Sequence, residues 1–192
     1  SQAQAAEHQE SAPFVCFADA QEQACVANNL ISTKDAVRQG KAVLDGGATK
    51  TLASVTAMEA IMGINSSKRG SPGVSAVDLQ DRPVFGFGNS SSDRCLSTAH
   101  LQVSAGGQSG SLRVHTLDKG EGPVLFSVDA LRRLGAVIDF EHDLIVFRKL
   151  SDERIIQLER SSSGHQLLPL ANDWYQGSRK TTTRVPSLKE FL

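Results

Sequence analysis

An apolar stretch that runs directly into an aspartate and a glycine-rich turn constrains this chain more than any other feature. Residues 41–44 are Lys-Ala-Val-Leu, Asp45 follows, and residues 46–49 are Gly-Gly-Ala-Thr. The apolar residues predict a short buried strand. The two glycines predict a tight turn whose backbone can approach a bound molecule closely, because glycine tolerates positive φ and adds no side chain. The pattern places the Asp45 carboxylate on a loop at the end of the strand. An ordinary turn is the alternative interpretation, because a strand followed by aspartate and glycine is common in turns.

A second informative segment spans residues 122–140, Gly-Pro-Val-Leu-Phe-Ser-Val-Asp-Ala-Leu-Arg-Arg-Leu-Gly-Ala-Val-Ile-Asp-Phe. It predicts a buried apolar strand, a short helix from about Asp129 to Leu134, and a further strand after Gly135. Asp129 has a side chain suited to a helix N-cap, and Gly135 suits the residue that follows a helix. Between the two segments, alternating apolar residues predict short antiparallel strands.

This order of motifs resembles the retropepsin family, the aspartic proteases of retroviruses and retrotransposons, and is most similar to copia-type proteases. The family motif is normally Asp-(Thr/Ser)-Gly-Ala, and the resemblance covers roughly residues 40–150. It implies a mostly β fold, a small closed barrel with one or two short helices. It also implies that Asp45 is the catalytic residue, on an active-site loop formed by Gly46, Gly47, Ala48 and Thr49.

The resemblance assigns two further elements around this loop. Alternating aromatic residues and glycines followed by a polar turn predict a β-hairpin where the family places its flap, with the substrate-binding residues Phe85, Gly86, Phe87 and Gly88. A plain hairpin with a bulge is the alternative. The apolar strand Val124, Leu125 and Phe126 would support the Asp45 loop from beneath, which is also compatible with an ordinary core strand.

The protease-like region contains only one such motif, whereas the chemistry needs two carboxylates. Two aspartates hold one water and share one proton, because like charges at that distance do not both ionise easily. One carboxylate takes a proton from the water while the other hydrogen-bonds the substrate carbonyl oxygen. The resemblance therefore implies a homodimer in which each subunit contributes Asp45 and a polypeptide substrate lies across the two-fold axis. The implied reaction is polyprotein processing, with activity highest at mildly acidic pH.

Two residues depart from the family pattern. Gly46 stands where the family usually has Thr or Ser, whose hydroxyl bonds across the dimer, and Ser127 stands where Gly is common. A side chain at residue 127 would enter the floor of the site. These departures favour an alternative function, a catalytically degenerate domain that serves as a dimerisation or peptide-binding module. An unrelated small β domain with a coincidental Asp-Gly-Gly turn is a third interpretation.

Composition excludes several classes of partner. The 192 residues carry a formal net charge of -1, so no basic field indicates nucleic acid. No apolar run reaches the roughly 20 residues that a membrane span requires, and the N-terminal residues lack the pattern of a signal peptide. The cysteines Cys16, Cys25 and Cys95 are irregularly spaced, which indicates reduced thiols and a cytoplasmic protein. No metal-ligand spacing is present, and no metal or cofactor is expected.

The chain divides by composition into three expected segments. Residues 1–38 form a polar N-terminal linker, residues 39–150 the retropepsin-like domain, and residues 151–192 a C-terminal extension or linker. The last segment is charged and serine-rich, with an apolar patch at residues 167–170, and an ordinary disordered tail is an equally supported interpretation.

Overall fold

Strands dominate the structure, as the alternating sequence predicts. The computed structural model describes residues 30–87 and 90–192, so Gly88 and most of the expected N-terminal linker lie outside the described residues. The strands are β1 (Leu30–Ile31), β2 (Lys41–Asp45), β3 (Leu52–Ser54), β4 (Val74–Asp78), β5 (Val84–Gly86), β6 (Ser92–Arg94), β7 (Ser97–Ala105), β8 (Gln108–Leu117), β9 (Val124–Ser127), β10 (Ala136–Asp139), β11 (Leu144–Phe147), β12 (Arg154–Gln157), β13 (Glu159–Ser161), β14 (Gln166–Pro169) and β15 (Arg179–Lys180). The helices are α1 (Thr33–Arg38), α2 (Val55–Arg69), α3 (Val128–Arg133) and a 3₁₀ helix, Leu188–Phe191.

The largest sheet places β9 between β2 and β3, although β2 and β3 follow one another in sequence. Its strand order is β1-β13-β14-β2-β9-β3-β8-β7-β4. Strand β9 runs parallel to β2, with Asp45 opposite Ser127, and antiparallel to β3, with Leu125 opposite Leu52. The loop from β2 to β3 therefore crosses the carboxyl end of β9. The expectation of a mostly β fold is confirmed.

No closed barrel is present among residues 30–87 and 90–192. The nine-stranded sheet is open, with β1 and β4 at its edges, and it is accompanied by a sheet of β10, β11, β12 and β15 and by the β5–β6 hairpin. The expectation of a closed barrel is therefore wrong, because alternation specifies which face of a strand is buried but not which strands pair at the ends of the sheet. Three α-helices are described instead of one or two, and α2 is long, with 15 residues.

Serine hydroxyls cap the first turn of the three described α-helices, and a glycine with positive φ lies within two residues of the end of each. Ser54 accepts a hydrogen bond from a backbone N–H in the first turn of α2, and Gly70 ends that helix with a φ of 76°. Ser127, two residues before the expected Asp129, is the N-cap of α3, while Gly135 follows the helix as predicted, with a φ of 63°. None of the described helices has the length and apolarity needed to cross a bilayer.

Residues after 150 contribute to both of the larger sheets. Strand β14 pairs antiparallel with β2, on the opposite edge of β2 from β9. The buried Trp174 ring packs against Phe126, with ring centroids 5.9 Å apart, and against Phe147, with centroids 5.2 Å apart. This segment is therefore folded onto the strand that carries Asp45. The domain boundaries at residues 38 and 150 stay predictions.

Candidate active site

Asp45 is the last residue of β2, and its half-buried side chain turns back onto its own loop. Its Oδ1 accepts a hydrogen bond from the backbone N–H of Gly47 at 2.8 Å, and its backbone oxygen accepts one from the N–H of Ala48 at 3.2 Å. Among the described residues, Oδ2 has no hydrogen-bond partner. One carboxylate oxygen therefore fixes the orientation of the group, and the other is available to a ligand.

The two glycines of the turn differ in their surroundings, and positive φ explains neither of them. Neither Gly46 nor Gly47 has a positive φ. A Cβ on Gly47 would lie 3.2 Å from Asp45 Oδ1, whereas a Cβ on Gly46 would have no atom within 4 Å. A side chain at residue 47 would therefore crowd the Asp45 carboxylate, whereas among the described residues nothing crowds residue 46.

The hydroxyl that holds this loop belongs to Thr51 and not to Thr49, which is exposed. Thr51 is 5% exposed, and its Oγ1 accepts a hydrogen bond from the Ser127 N–H and donates one to Ser127 Oγ, both at 3.1 Å. The Val128 N–H donates to the Ala48 oxygen at 2.9 Å. These bonds tie the loop to the end of β9. Sequence reasoning missed Thr51, because its partner lies 76 residues away and no local signal distinguishes it from Thr49.

Ser127 and the supporting strand lie inside the protein. Ser127 is 2% exposed, and its Oγ also accepts the N–H of Ala130, so its side chain is taken up by bonds within the fold. Val124 and Phe126 are fully buried in the main core, while the half-buried Leu125 packs against a smaller cluster on the other face of the sheet. Strand β9 thus lies directly beside β2, with apolar contacts on both faces.

The expected flap is a hairpin formed by β5 and β6. Phe85 pairs in register with Asp93, and its ring centroid lies 5.9 Å from that of His115. Gly86 and Phe87 are exposed, and the Phe87 N–H donates to the Ser91 oxygen at 2.8 Å. The hairpin is confirmed over the residues that are described. Its role as a flap stays a prediction.

His115, which sequence reasoning also missed, connects this hairpin to the Asp45 loop. Its backbone N–H donates to the Thr51 oxygen at 3.0 Å, and its Nδ1 lies 2.6 Å from Thr98 Oγ1. Because Thr98 Oγ1 donates to the Asp81 oxygen at 2.7 Å, both bonds together require the proton on Nδ1. Burial lowers the pKa of His115, and the nearby Asp81 carboxylate offsets this only in part. The imidazole beneath Phe85 is therefore held in its neutral form.

One group of potential metal ligands is found in the described part of the chain. Ligand atoms of Asp139, Glu141 and His142 lie within 4.8 Å of one another, and all three residues are exposed. His142 donates its backbone N–H to Asp139 at 3.0 Å, and its Nδ1 lies 2.9 Å from the same carboxylate. These hydrogen bonds belong to the turn of the β10–β11 hairpin, and they explain why the three side chains lie close together.

A comparison of the chain with protein-family models finds no match, and a comparison with curated proteins finds none either. The function is therefore inferred from Asp45, from the loop that holds it, and from the strands that position the loop.

Proposed function

We propose that this chain is an aspartic endopeptidase that acts as a homodimer and hydrolyses peptide bonds with a water activated by two Asp45 carboxylates. The observation that carries the proposal is the state of the Asp45 carboxylate. Oδ1 is fixed by the Gly47 N–H, and Oδ2 has no partner among the described residues. A carboxylate oriented in this way can take a proton from a bound water. The resemblance to retropepsins adds a copia-type retrotransposon polyprotein as the substrate.

The need for a second subunit follows from the chemistry. No aspartate other than Asp45 is followed by Gly-Gly, Thr-Gly or Ser-Gly in the sequence. One Asp45 carboxylate removes a proton from water as the water oxygen attacks the carbonyl carbon, and the protonated partner carboxyl donates a hydrogen bond to the carbonyl oxygen. The C–N bond then breaks as the amine leaves with a proton. A two-fold axis beside Asp45 supplies both groups from identical chains.

Gly46 favours a second candidate function, a dimerisation or peptide-binding module of the same fold without turnover. A glycine cannot make the hydroxyl bond that Thr or Ser makes across the dimer in the family. Losing one such bond costs about 0.5–1.5 kcal/mol per subunit. The second candidate predicts that peptides bind and stay intact.

The exposed apolar residues of the β5–β6 hairpin bear on the choice of substrate. Phe87 is 38% exposed and Val84 is more exposed still, which supports a preference for apolar side chains in an extended peptide.

Cys95 is a buried free thiol, and burial raises its pKa, so the thiol stays protonated. We place the protein in the cytoplasm on this basis, because reducing compartments keep thiols free. Cys16 and Cys25 lie outside the described residues.

Digestion of a synthetic peptide library, read by mass spectrometry between about pH 4 and pH 8, tests the proposal. The wild type is compared with Asp45→Asn and with Asp118→Asn, a matched change at an exposed aspartate in the bend after β8. Each is assayed with and without a pepstatin-type inhibitor. We expect cleavage by the wild type and by Asp118→Asn, with inhibition in both, and no cleavage by Asp45→Asn.

The oligomeric state, measured by sedimentation, separates the two candidates from the remaining interpretation. Dimers that bind library peptides and cleave none of them would support the binding module. A monomer that neither binds nor cleaves at any of these pH values would contradict both candidates.

A further inference from the structure

We propose that Thr51 and Ser127 are positioning residues that fix the Asp45 loop within a single subunit, where Gly46 provides no hydroxyl to fix it across a dimer. The inference rests on the proposed protease function. Both side chains are buried, and they join the end of the loop to the end of β9. Ser127 is also the register partner of Asp45, so the hydroxyl pair, Thr51 and Ser127, acts beside the carboxylate.

Most of the hydrogen-bonding sites of the hydroxyl pair are filled by partners within the described part of the chain. Thr51 Oγ1 accepts the Ser127 N–H and donates its proton to Ser127 Oγ. Ser127 Oγ also accepts the Ala130 N–H at 3.1 Å, which leaves the Ser127 hydroxyl proton as the one remaining donor. The Thr51 hydroxyl therefore has a defined orientation, because it both accepts and donates a hydrogen bond, and two donors hold the Ser127 oxygen in place. These hydrogen bonds hold the loop in a fixed position relative to β9.

The loop is attached at its beginning, its middle and its end. The Asp45 carboxylate holds Gly47 at the beginning, and the Val128 N–H holds the Ala48 oxygen in the middle. Thr51 is the third attachment, and its bonds end on the residue directly before Val128. Loss of the Thr51 hydroxyl should therefore loosen residues 46–51 while leaving β2 and β9 paired.

Ser127 also caps α3, so the two roles of Ser127 have to be separated. Thr51→Val removes the bonds of the hydroxyl pair and leaves the cap intact, while Thr51→Ser keeps the hydroxyl. Ser127→Ala removes the cap and the bond from the Thr51 hydroxyl to Ser127 Oγ, but it keeps the bond from the Ser127 N–H to Thr51 Oγ1. Ser32 is a matched control, because its Oγ caps α1 by accepting the Asp35 N–H at 3.0 Å and makes no described bond to the loop.

Amide hydrogen exchange of the intact protein, resolved by residue, tests the inference without requiring activity. In Thr51→Val we expect the Val128 and Ala48 amides to exchange about tenfold faster than in the wild type, as expected for losing buried hydrogen bonds, with β7 and β8 unchanged. Thr51→Ser should stay within about twofold of the wild type. Ser127→Ala should raise the exchange of the Ala130 amide through loss of the cap, and Ser32→Ala should affect α1 alone.

Unchanged exchange at Val128 and Ala48 in Thr51→Val, or an equal rise throughout the chain, would overturn the positioning role. If Thr51→Val does not fold, Thr51→Ala provides the same decision, because it also removes Oγ1 and leaves the cap of α3 in place. If the wild type cleaves peptides, Thr51→Val should lower kcat about tenfold and change KM by less than about twofold. If the Thr51 variants exchange as expected but the wild type cleaves no peptide, the positioning role of the hydroxyl pair stands and the proposed protease function is wrong.

Discussion

The chain contains two Gly-Gly turns, and an aspartate holds each of them in a different way. At residues 46–47 the aspartate, Asp45, belongs to the turn and accepts one backbone N–H. At residues 106–107, between β7 and β8, the carboxylate comes from Asp173 in the C-terminal segment. The same pair of residue types therefore serves two different purposes in one fold.

The Asp173 carboxylate is saturated with hydrogen bonds. It accepts four of them at 2.8 to 2.9 Å, from the backbone N–H groups of Gly106, Gly107 and Tyr175 and from the hydroxyl of Ser104. Burial alone would raise the pKa of Asp173, but these donors outweigh it and lower the pKa to about 2. Both glycines of this turn have positive φ, 60° and 81°, which the Asp45 turn does not need.

The number of hydrogen-bond donors around a carboxylate distinguishes a structural group from one that is available to a ligand. Asp173 has no oxygen left for a ligand, and its charge stabilises a hairpin turn. Asp45 has one oriented oxygen and one without a partner among the described residues.

Replacing Asp45 should remove activity and leave stability nearly unchanged. In Asp45→Asn we expect peptide cleavage to fall by about 10³-fold or more, because a general base is lost. The free energy of unfolding should change by less than about 0.5 kcal/mol, since the amide oxygen can still accept the Gly47 N–H. The value of kcat/KM is measured at the mildly acidic pH where the wild type is expected to be most active, and the free energy of unfolding by urea denaturation at pH 7. A large loss of stability would show that Asp45 is structural in the same sense as Asp173.

Replacing Asp173 should have the opposite effect. In Asp173→Asn one oxygen and one NH₂ group face four donors, so we expect the free energy of unfolding to fall by about 2 kcal/mol. Urea denaturation at pH 7 measures this loss, with Asp118→Asn as the control for removing an exposed charge. A variant as stable as this control would mean that the four hydrogen bonds contribute little.

The pH dependence of stability should report the same carboxylate. The pKa of Asp173 is about 2 in the folded protein and about 3.9 in an unfolded chain, so the unfolded state binds more protons between these values. The stabilisation by Asp173 should be complete above about pH 5 and lost as the pH falls through about 4 towards 2, a change of roughly 1–2 kcal/mol after solvent screening. Denaturation of the wild type and of Asp173→Asn across this range measures it, and a difference that stays constant with pH would contradict it.

Alanine at each glycine of the Asp45 turn gives the smallest expected effects. Gly47→Ala places a Cβ 3.2 Å from Asp45 Oδ1 and should lower the free energy of unfolding by about 1 kcal/mol. Gly46→Ala meets no atom within 4 Å and should raise it by about 0.4–1 kcal/mol, because alanine restricts the unfolded chain. Thermal unfolding at low protein concentration compares the two. An equal loss of the free energy of unfolding in Gly46→Ala and Gly47→Ala would indicate that a second subunit packs against Gly46.

Much of the site could be predicted because its signals are local. The apolar residues of β2, the turn after Asp45, the hairpin around Phe85 and the strand over residues 124–126 all lie where the sequence places them. Thr51 and His115 could not be recognised, because each acquires its role from partners in distant strands. The N-cap of α3 is Ser127 and not the expected Asp129. Both Ser and Asp suit an N-cap, so local propensity does not decide between the two positions.

The short elements of this protein and the tight turns between them follow from the local sequence, because φ preferences, capping and alternation act over a few residues. The position of β9 between β2 and β3, the open sheet and its extension by β14 beside β2 depend on long-range packing. The same packing brings Thr51 to Ser127 and Asp173 to a turn more than sixty residues away. Alternation states which face of a strand is buried, whereas the choice of partner strand depends on contacts that form only when the whole chain has folded.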